Sequence, residues 1–314
     1  MKYHAALIEW DEVKSMRRRI LPTLGLLGVM ALLLLCSADA AQAVRDALAL
    51  CVQSVIPALF PFFVVSSLFI DLGCAAVLGR SLAPVMHRLF GVSGAGATAF
   101  LLGIIGGYPV GGRTAGELYR SGQCEREECE RLLAFCNNAG PSFILGIAGL
   151  GCFGSVRVGA WLYLIHVGAA VTVGLLFRSS SHQRSRPAAA AEPPRWADAL
   201  IQAVRGGAMS MVGICAFVVF FLVILRLFSR FTGIQHGVIL GLIEMTNGIL
   251  RLENHRQSFI WAAGLLGWGG LSVHCQTAAV LSGSGLSLKR YFIGKALQAA
   301  VSMAAAWPVS LLLP

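Results

Sequence analysis

Charge is scarce in this chain. Of 314 residues only 13% are Asp, Glu, Lys or Arg, and only 15 are acidic. That is about half the charged fraction of a soluble domain, and it excludes an ordinary soluble enzyme. With 56% hydrophobic residues and a mean hydropathy of +0.73, it also excludes a disordered chain. Paired cysteine motifs are missing. Of the nine cysteines, Cys36, Cys51, Cys74, Cys136, Cys152, Cys215 and Cys275 lie in or beside apolar runs, where a thiol behaves as a small hydrophobe. Cys124 and Cys129 stand among Glu and Arg without a second pair, so neither a disulfide framework nor a zinc site is expected. There is no P-loop, HExxH, GxSxG or strand-to-helix GxGxxG. The expectation is a protein that is not an enzyme and carries no cofactor, neither heme, flavin nor nucleotide. The net charge of +10 does not point to nucleic acid. Its basic residues sit in short clusters between apolar runs, the pattern of cytoplasmic loops, and no nucleic-acid partner is expected.

Apolar length is abundant. Runs that approach the 17 to 25 residues a bilayer crossing takes occur at 20–36, 47–70, 132–150, 156–177, 208–228, 235–250 and 290–313. The run 235–250 is short. Two more stretches, 94–118 and 258–285, are interrupted by glycine-rich polar centres, and 73–90 reads as an interfacial helix. Arg17-Arg18-Arg19 before Ile20 to Cys36 and Ala38-Asp39-Ala40 imitates a signal peptide. The succession of spans behind it favours an uncleaved first helix. The fold class is therefore all-α, a polytopic helical membrane protein whose partner is the lipid bilayer.

Lys and Arg positions discriminate between topologies. If both interrupted stretches are re-entrant hairpins and the N-terminus is cytoplasmic, 20 of the 25 Lys and Arg fall inside and four outside, with Arg113 within a hairpin. If both are simple spans, the division is nearly even. The positive-inside bias favours two hairpins and seven spans, with the C-terminus outside. Four segments follow: residues 1–45 as N-terminal segment and first helix, 46–178 as one repeat, 179–197 as a basic, proline-bearing cytoplasmic linker, and 198–314 as a second repeat.

Four places put backbone breakers and hydrogen-bonding side chains at membrane depth, where freed N–H and C=O groups survive only against protein or a watery cavity. Gly106-Gly107-Tyr108-Pro109-Val110-Gly111-Gly112 cannot continue a helix. A hairpin tip fits, with a new helix near Gly111 whose free N–H groups could face an anion; a simple loop is the plainer alternative. Asn137-Asn138-Ala139-Gly140-Pro141-Ser142 breaks the run 132–150, either as an unwound ligand contact or as inter-helix packing. Glu244-Met245-Thr246-Asn247-Gly248 puts a carboxylate deep in 235–250, for a proton, a cation or a structural pair. Gly269-Gly270-Leu271-Ser272-Val273-His274-Cys275-Gln276 would open the second arm of a hairpin. His274 there either titrates during transport or is a satisfied core histidine. His166, alone on 156–177, reads as packing against a neighbouring helix.

These motifs in this order, with Glu130 to Pro141 leading into the second, resemble the sporulation integral membrane proteins of the YlbJ type. Those belong to a wider nucleoside-recognition, or gate-domain, group related in fold to concentrative nucleoside transporters. The resemblance covers roughly residues 45–310. It implies a multi-pass protein of the cell membrane, in the outer forespore membrane of a sporulating bacterium, moving dipicolinic acid. Handling of nucleosides and a non-transporting scaffold or sensor in sporulation are the alternatives. Homo-oligomers occur among related transporters, and no interface can be read here. The expected small-molecule substrate is a small organic anion. Tyr108, Gly111, Asn137, Asn138, Ser142, Thr246, Asn247, Ser272 and Gln276 are the expected binding residues, and Glu244 and His274 the coupling or gating ones.

Overall fold

A computed structural model of the chain describes residues 20, 22–179 and 195–313. The basic segment 1–19 and most of the expected linker lie outside the described residues. Among the described residues the secondary structure is helical, without strands. In chain order the helices are α1 (Pro22–Leu35), α2 (Ser37–Leu50), α3 (Ile56–Asp71), α4 (Cys74–Phe90), α5 (Gly94–Gly106), α6 (Val110–Arg120), α7 (Arg126–Cys136), α8 (Val156–Leu176), α9 (Trp196–Thr232), α10 (Gly237–Ile243), α11 (Met245–Leu250), α12 (Arg256–Trp268), α13 (Gly270–Val280) and α14 (Lys289–Ser310). Two π-helical segments are π1 (Cys51–Val55), which joins α2 to α3, and π2 (Ser142–Cys152).

The 37 residues of α9 rise about 55 Å, well beyond a hydrocarbon core of about 30 Å. α8 and α9 are each long and apolar enough to cross a membrane. Large apolar side chains such as Val52, Val65, Leu164, Met209, Phe220 and Trp307 lie exposed on the helices, as a lipid-facing surface requires. The chain is an all-α integral membrane protein. α2, π1 and α3 form one continuous rod against α9, and the two run antiparallel. Arg230 pairs with Asp39 and Arg226 with Asp46 at one end, while Gly207 meets Phe60, Phe63 and Val64 farther along. The run 20–36 was expected as a first transmembrane helix. α1 turns by 88° from α2 at Cys36 and lies across the rod. α4, the expected interfacial helix, likewise meets α5 at 88°.

The interrupted stretches resolve into two kinds of break, and one of them differs from the sequence expectation. α5 and α6 fold back on each other across Gly107-Tyr108-Pro109, with the Gly103 and Gly111 Cα atoms close together. This is the expected first hairpin. α10 and α11 also fold back on each other: a Cβ on Gly248 would overlap the Gly241 backbone, and one on Gly237 would lie 3.0 Å from the Arg251 carbonyl carbon. The stretch 258–285 does not reverse. α12 runs antiparallel beside α14, and α13 carries on in the same direction, packed on α9, α10 and α6 and reaching α14 through side chains. Gly264 faces Met303, Gly267 faces Ala299, and His274 reaches Tyr291. The second hairpin is thus 237–250, and 258–285 is a broken crossing. Length supplies the reason. The 14 residues from Gly237 to Leu250 rise about 21 Å, too little to cross, whereas 25 residues from Arg256 to Val280 rise about 37 Å.

α7 and π2 form the corresponding broken crossing in the first half, antiparallel to α8. Phe135 meets Gly174, Ala139 meets His166, and Gly149 meets Gly159. Each half therefore reads hairpin, broken crossing, full crossing: α5/α6, α7/π2, α8, then α10/α11, α12/α13, α14. One face of the bundle gathers residues 91–93, 120–131 and 280–290, tied by Ser93 N–H donating to Glu128, by Arg126 donating to the Gly285 carbonyl, and by Ser287 N–H donating to Glu130. The opposite face gathers 39–46, 152–155, 226–235 and 251–256, where Cys152 Sγ–H donates to the Leu252 carbonyl and Asn254 Nδ2 to the Phe153 carbonyl. Arg251 and Arg256 consequently share a face with Arg226 and Arg230, not with the loop 120–131 as the two-hairpin count had placed them.

Candidate functional site

Each hairpin tip seats against the break of the crossing that follows it. Gly107, at φ 80°, packs so closely on Gly140 that a Cβ there would lie 2.8 Å from the Gly140 amide nitrogen. Gly270, also at φ 80°, leaves room for the Gly241 carbonyl and the Met245 amide, each 3.1 Å from where its Cβ would stand. An L side chain would be strained in this left-handed region and would clash as well. Tyr108 crosses between the halves, its hydroxyl donating to the Leu266 carbonyl at 3.1 Å.

Between the two tips lies a cleft of about 80 Å³, lined by Tyr108, Ala139, Gly140, Glu244, Thr246 and Gln276 with apolar walls from Phe143, Ile214, Val218 and Val273. All four polar motifs contribute to it. Pockets that hold small ligands run to about 300–1,000 Å³, so a solute of nucleoside size enters only when the tips move apart. Glu244 ends α10 and caps α11. Its carboxylate accepts from Thr246 N at 3.1 Å, Asn247 N at 2.8 Å and Asn247 Nδ2 at 2.6 Å. The second tip's amide groups are therefore already neutralised by an internal acid. The α6 terminus is similarly engaged. Val110 N–H donates to Gly107 O, Gly112 N–H to Asn137 Oδ1 at 3.2 Å and Arg113 N–H to Pro109 O. The free-amide anion cradle pictured near Gly111 is thus largely filled by protein, and Gly111 itself packs on the Cys136 carbonyl.

The remaining expected residues fall into three places. Asn137, Asn138, Ser272 and His274 are buried behind the cleft rather than lining it. Asn247 lines a separate recess of about 330 Å³ with Asp46, Arg226, Arg230 and Arg251. Ser142 opens π2, half-buried beside the cleft-lining Phe143.

Behind the cleft runs a continuous polar network at the centre of the bundle. Asn137 Nδ2 donates to Thr277 Oγ1 at 2.8 Å, and Thr277 Oγ1 donates to the Val273 carbonyl. The Tyr291 hydroxyl lies 3.3 Å from Thr277 Oγ1 and 2.8 Å from His274 Nδ1. Lys295 Nζ donates to the Asn137 carbonyl at 3.0 Å and to Gln298 Oε1 at 2.6 Å. Gln298 Nε2 donates to Asn138 Oδ1 and to the His166 carbonyl. His166 Nε2 accepts the Ala139 N–H at 3.0 Å, which makes it a neutral imidazole bound to the break rather than a packing residue alone. Among these groups Tyr291, Lys295, Gln298 and His166 lay outside the expected motifs altogether. A signal for three was present: Tyr291, Lys295, Gln298 and Ser302 recur at helical spacing on α14 and form its buried stripe.

A protein-family profile described as "Gate: Nucleoside recognition" matches residues 52–156, the stretch from π1 through the first hairpin and the first broken crossing. The sporulation integral membrane protein YlbJ of Bacillus subtilis (strain 168) is 27% identical over 302 aligned residues, covering 82% of this chain and 74% of that protein. No solved structure matches. Residues 52–156 are thus similar to the Gate nucleoside-recognition family, and the chain is similar along most of its length to the sporulation integral membrane protein YlbJ.

Proposed function

We propose that the protein is a carrier for a small polar organic solute, which binds between the two hairpin tips and passes when they separate. The observation that carries this reading is the convergence of two hairpin tips and two helix breaks on one cleft, since broken helices at membrane depth are the usual substrate and ion sites of repeat-built carriers. The positive-inside rule puts the face bearing residues 120–131 and 280–290 in the cytoplasm. That side carries Arg88, Arg120, Arg126, Arg131, Arg178, Arg195, Lys289 and Arg290, against Arg45, Arg157, Arg226, Arg230, Arg251 and Arg256 on the other. The similarity to YlbJ supports the reading of a sporulating cell; dipicolinate, an aromatic dicarboxylate, is the first solute of this proposal and the outer forespore membrane its place. A second reading, a nucleoside, is favoured by the Glu244 carboxylate at the cleft, which repels a dianion and accepts hydrogen bonds from neutral hydroxyl groups. Uptake of dipicolinate and of uridine by purified protein in liposomes tests both. Glu244→Gln removes one acceptor from the α11 cap and is expected to abolish uptake, at a stability cost of about 1–3 kcal/mol. Gln276→Ala is expected to lower uptake without moving Tm. Full uptake by both variants would remove the cleft as the route. Failure of the wild type to move either solute would favour a membrane scaffold or sensor.

A further inference from the structure

The carrier reading leaves one buried cation without a task. Lys295 is fully buried at the centre of α14. Among the described residues, its hydrogen-bond partners are oxygens of neutral groups, the Asn137 carbonyl at 3.0 Å and Gln298 Oε1 at 2.6 Å. The ring of Tyr108 covers the third direction, its centroid 4.8 Å from Nζ. An ammonium has three donors and no acceptor, and these two oxygens and a π-face take all three. Cys136, His166 and His274 face it from the surrounding helices, and none is a carboxylate. A lysine buried without an acidic partner is costly unless its surroundings are built for positive charge.

The surroundings are so built. The Asn137 carbonyl is free to point at Lys295 because the chain leaves the helix at that residue, which adopts an extended conformation. Gln298 is held with its oxygen toward Lys295 because its Nε2 is spent on Asn138 Oδ1 and the His166 carbonyl. Carbonyl oxygens from an unwound helix, with a carboxamide oxygen, are the ligand set that transporters use for a monovalent coupling ion. We propose that Lys295 is a tethered cation: its ammonium fills a carbonyl-lined cation site at the α7–π2 break, so the protein needs no sodium ion there to hold the break against the first hairpin.

This inference rests on the carrier reading only for its transport arm. Uptake of dipicolinate and of uridine is measured in liposomes with sodium or choline as the external cation. Wild-type uptake is expected to be the same in both. Lys295→Gln keeps an N–H donor and loses the charge. It is expected to melt near the wild type yet take up solute about tenfold more slowly or worse. Sodium-stimulated uptake by the wild type, or wild-type uptake by Lys295→Gln, would overturn the proposal. The second arm needs no transport. Lys295→Ala vacates the oxygens, and its Tm in detergent is expected to rise with ammonium or sodium chloride and not with choline chloride, while wild-type Tm does not respond. Equal Tm of Lys295→Ala in all three salts would overturn the tethered cation. If the wild type moves neither solute while the alanine variant responds to small cations, the carrier reading falls and the cation site stands.

Discussion

Gln298 on α14 donates from Nε2 to Asn138 Oδ1 at 2.8 Å, joining the last crossing of the second half to the break in the first half across 160 residues of sequence. Both side chains are fully buried. Asn138 spends its own Nδ2 on the Phe135 carbonyl at 2.7 Å, a carbonyl in the last turn of α7, where helix C-termini leave acceptors unpaired. The pair therefore does two things: it closes the end of α7, and it holds α14 against the break.

From that pairing follows a stability prediction. Asn138→Ala and Gln298→Ala should each lower the free energy of unfolding by about 1–3 kcal/mol, because each leaves a buried partner unsatisfied. The double variant should cost less than the sum, with a coupling of about 0.5 kcal/mol or more. Melting of the purified protein in detergent reads this. Additive effects would mean that the two residues act independently.

Close backbone approach makes a second prediction. A Cβ on Gly111 or Gly103 would collide with the Cys136 carbonyl, so Gly111→Ala should force the first hairpin off α7 and destabilise by about 1–3 kcal/mol. Gly168 on α8 has open space where a Cβ would stand. Gly168→Ala should leave Tm unchanged or slightly raised, since alanine is the better helix former. A thermal scan of the two variants side by side checks the contrast.

The sidedness of the loops supplies a third. Introduced cysteines at Arg157 and Asn254 should react with a membrane-impermeant maleimide from one side of the membrane, and those at Ser121 and Ser287 only from the other. The native cysteines are buried or half-buried, and the four chosen positions are exposed. Labelling of the Asn254 position together with Ser121 would mean that 258–285 turns back after all and that the second hairpin lies there.

Much of this architecture was legible in the residues. The glycine-rich segment 106–112 and the Asn137-Asn138 pair announced breaks, because neither can sit in an unbroken helix facing lipid. The first hairpin and the broken crossing of the first half followed from run length and from the placement of basic residues. The second half was misread at one point. Glu244 and the Gly269-Gly270 pair both mark breaks, and charge counting assigned the reversal to the wrong one. The brevity of 235–250 was the better guide. Lys295 was hidden by its neighbours. It closes a cluster with Lys289 and Arg290 that reads as a loop, yet six residues of helix carry it about 9 Å deeper than Lys289.

Composition and periodicity by themselves determined that the chain lives in a bilayer, that it is helical, and where its helices must break, because these depend on local chemistry: apolar length, missing N–H groups, glycine. Tertiary structure alone decided which breaks reverse the chain, which polar groups line the cleft and which sit behind it, and that a lysine could be buried among carbonyls. Those outcomes depend on the partner across the helix interface. The Asn137 carbonyl, Gln298 and Tyr108 come together from segments far apart in sequence, and no local pattern encodes that meeting.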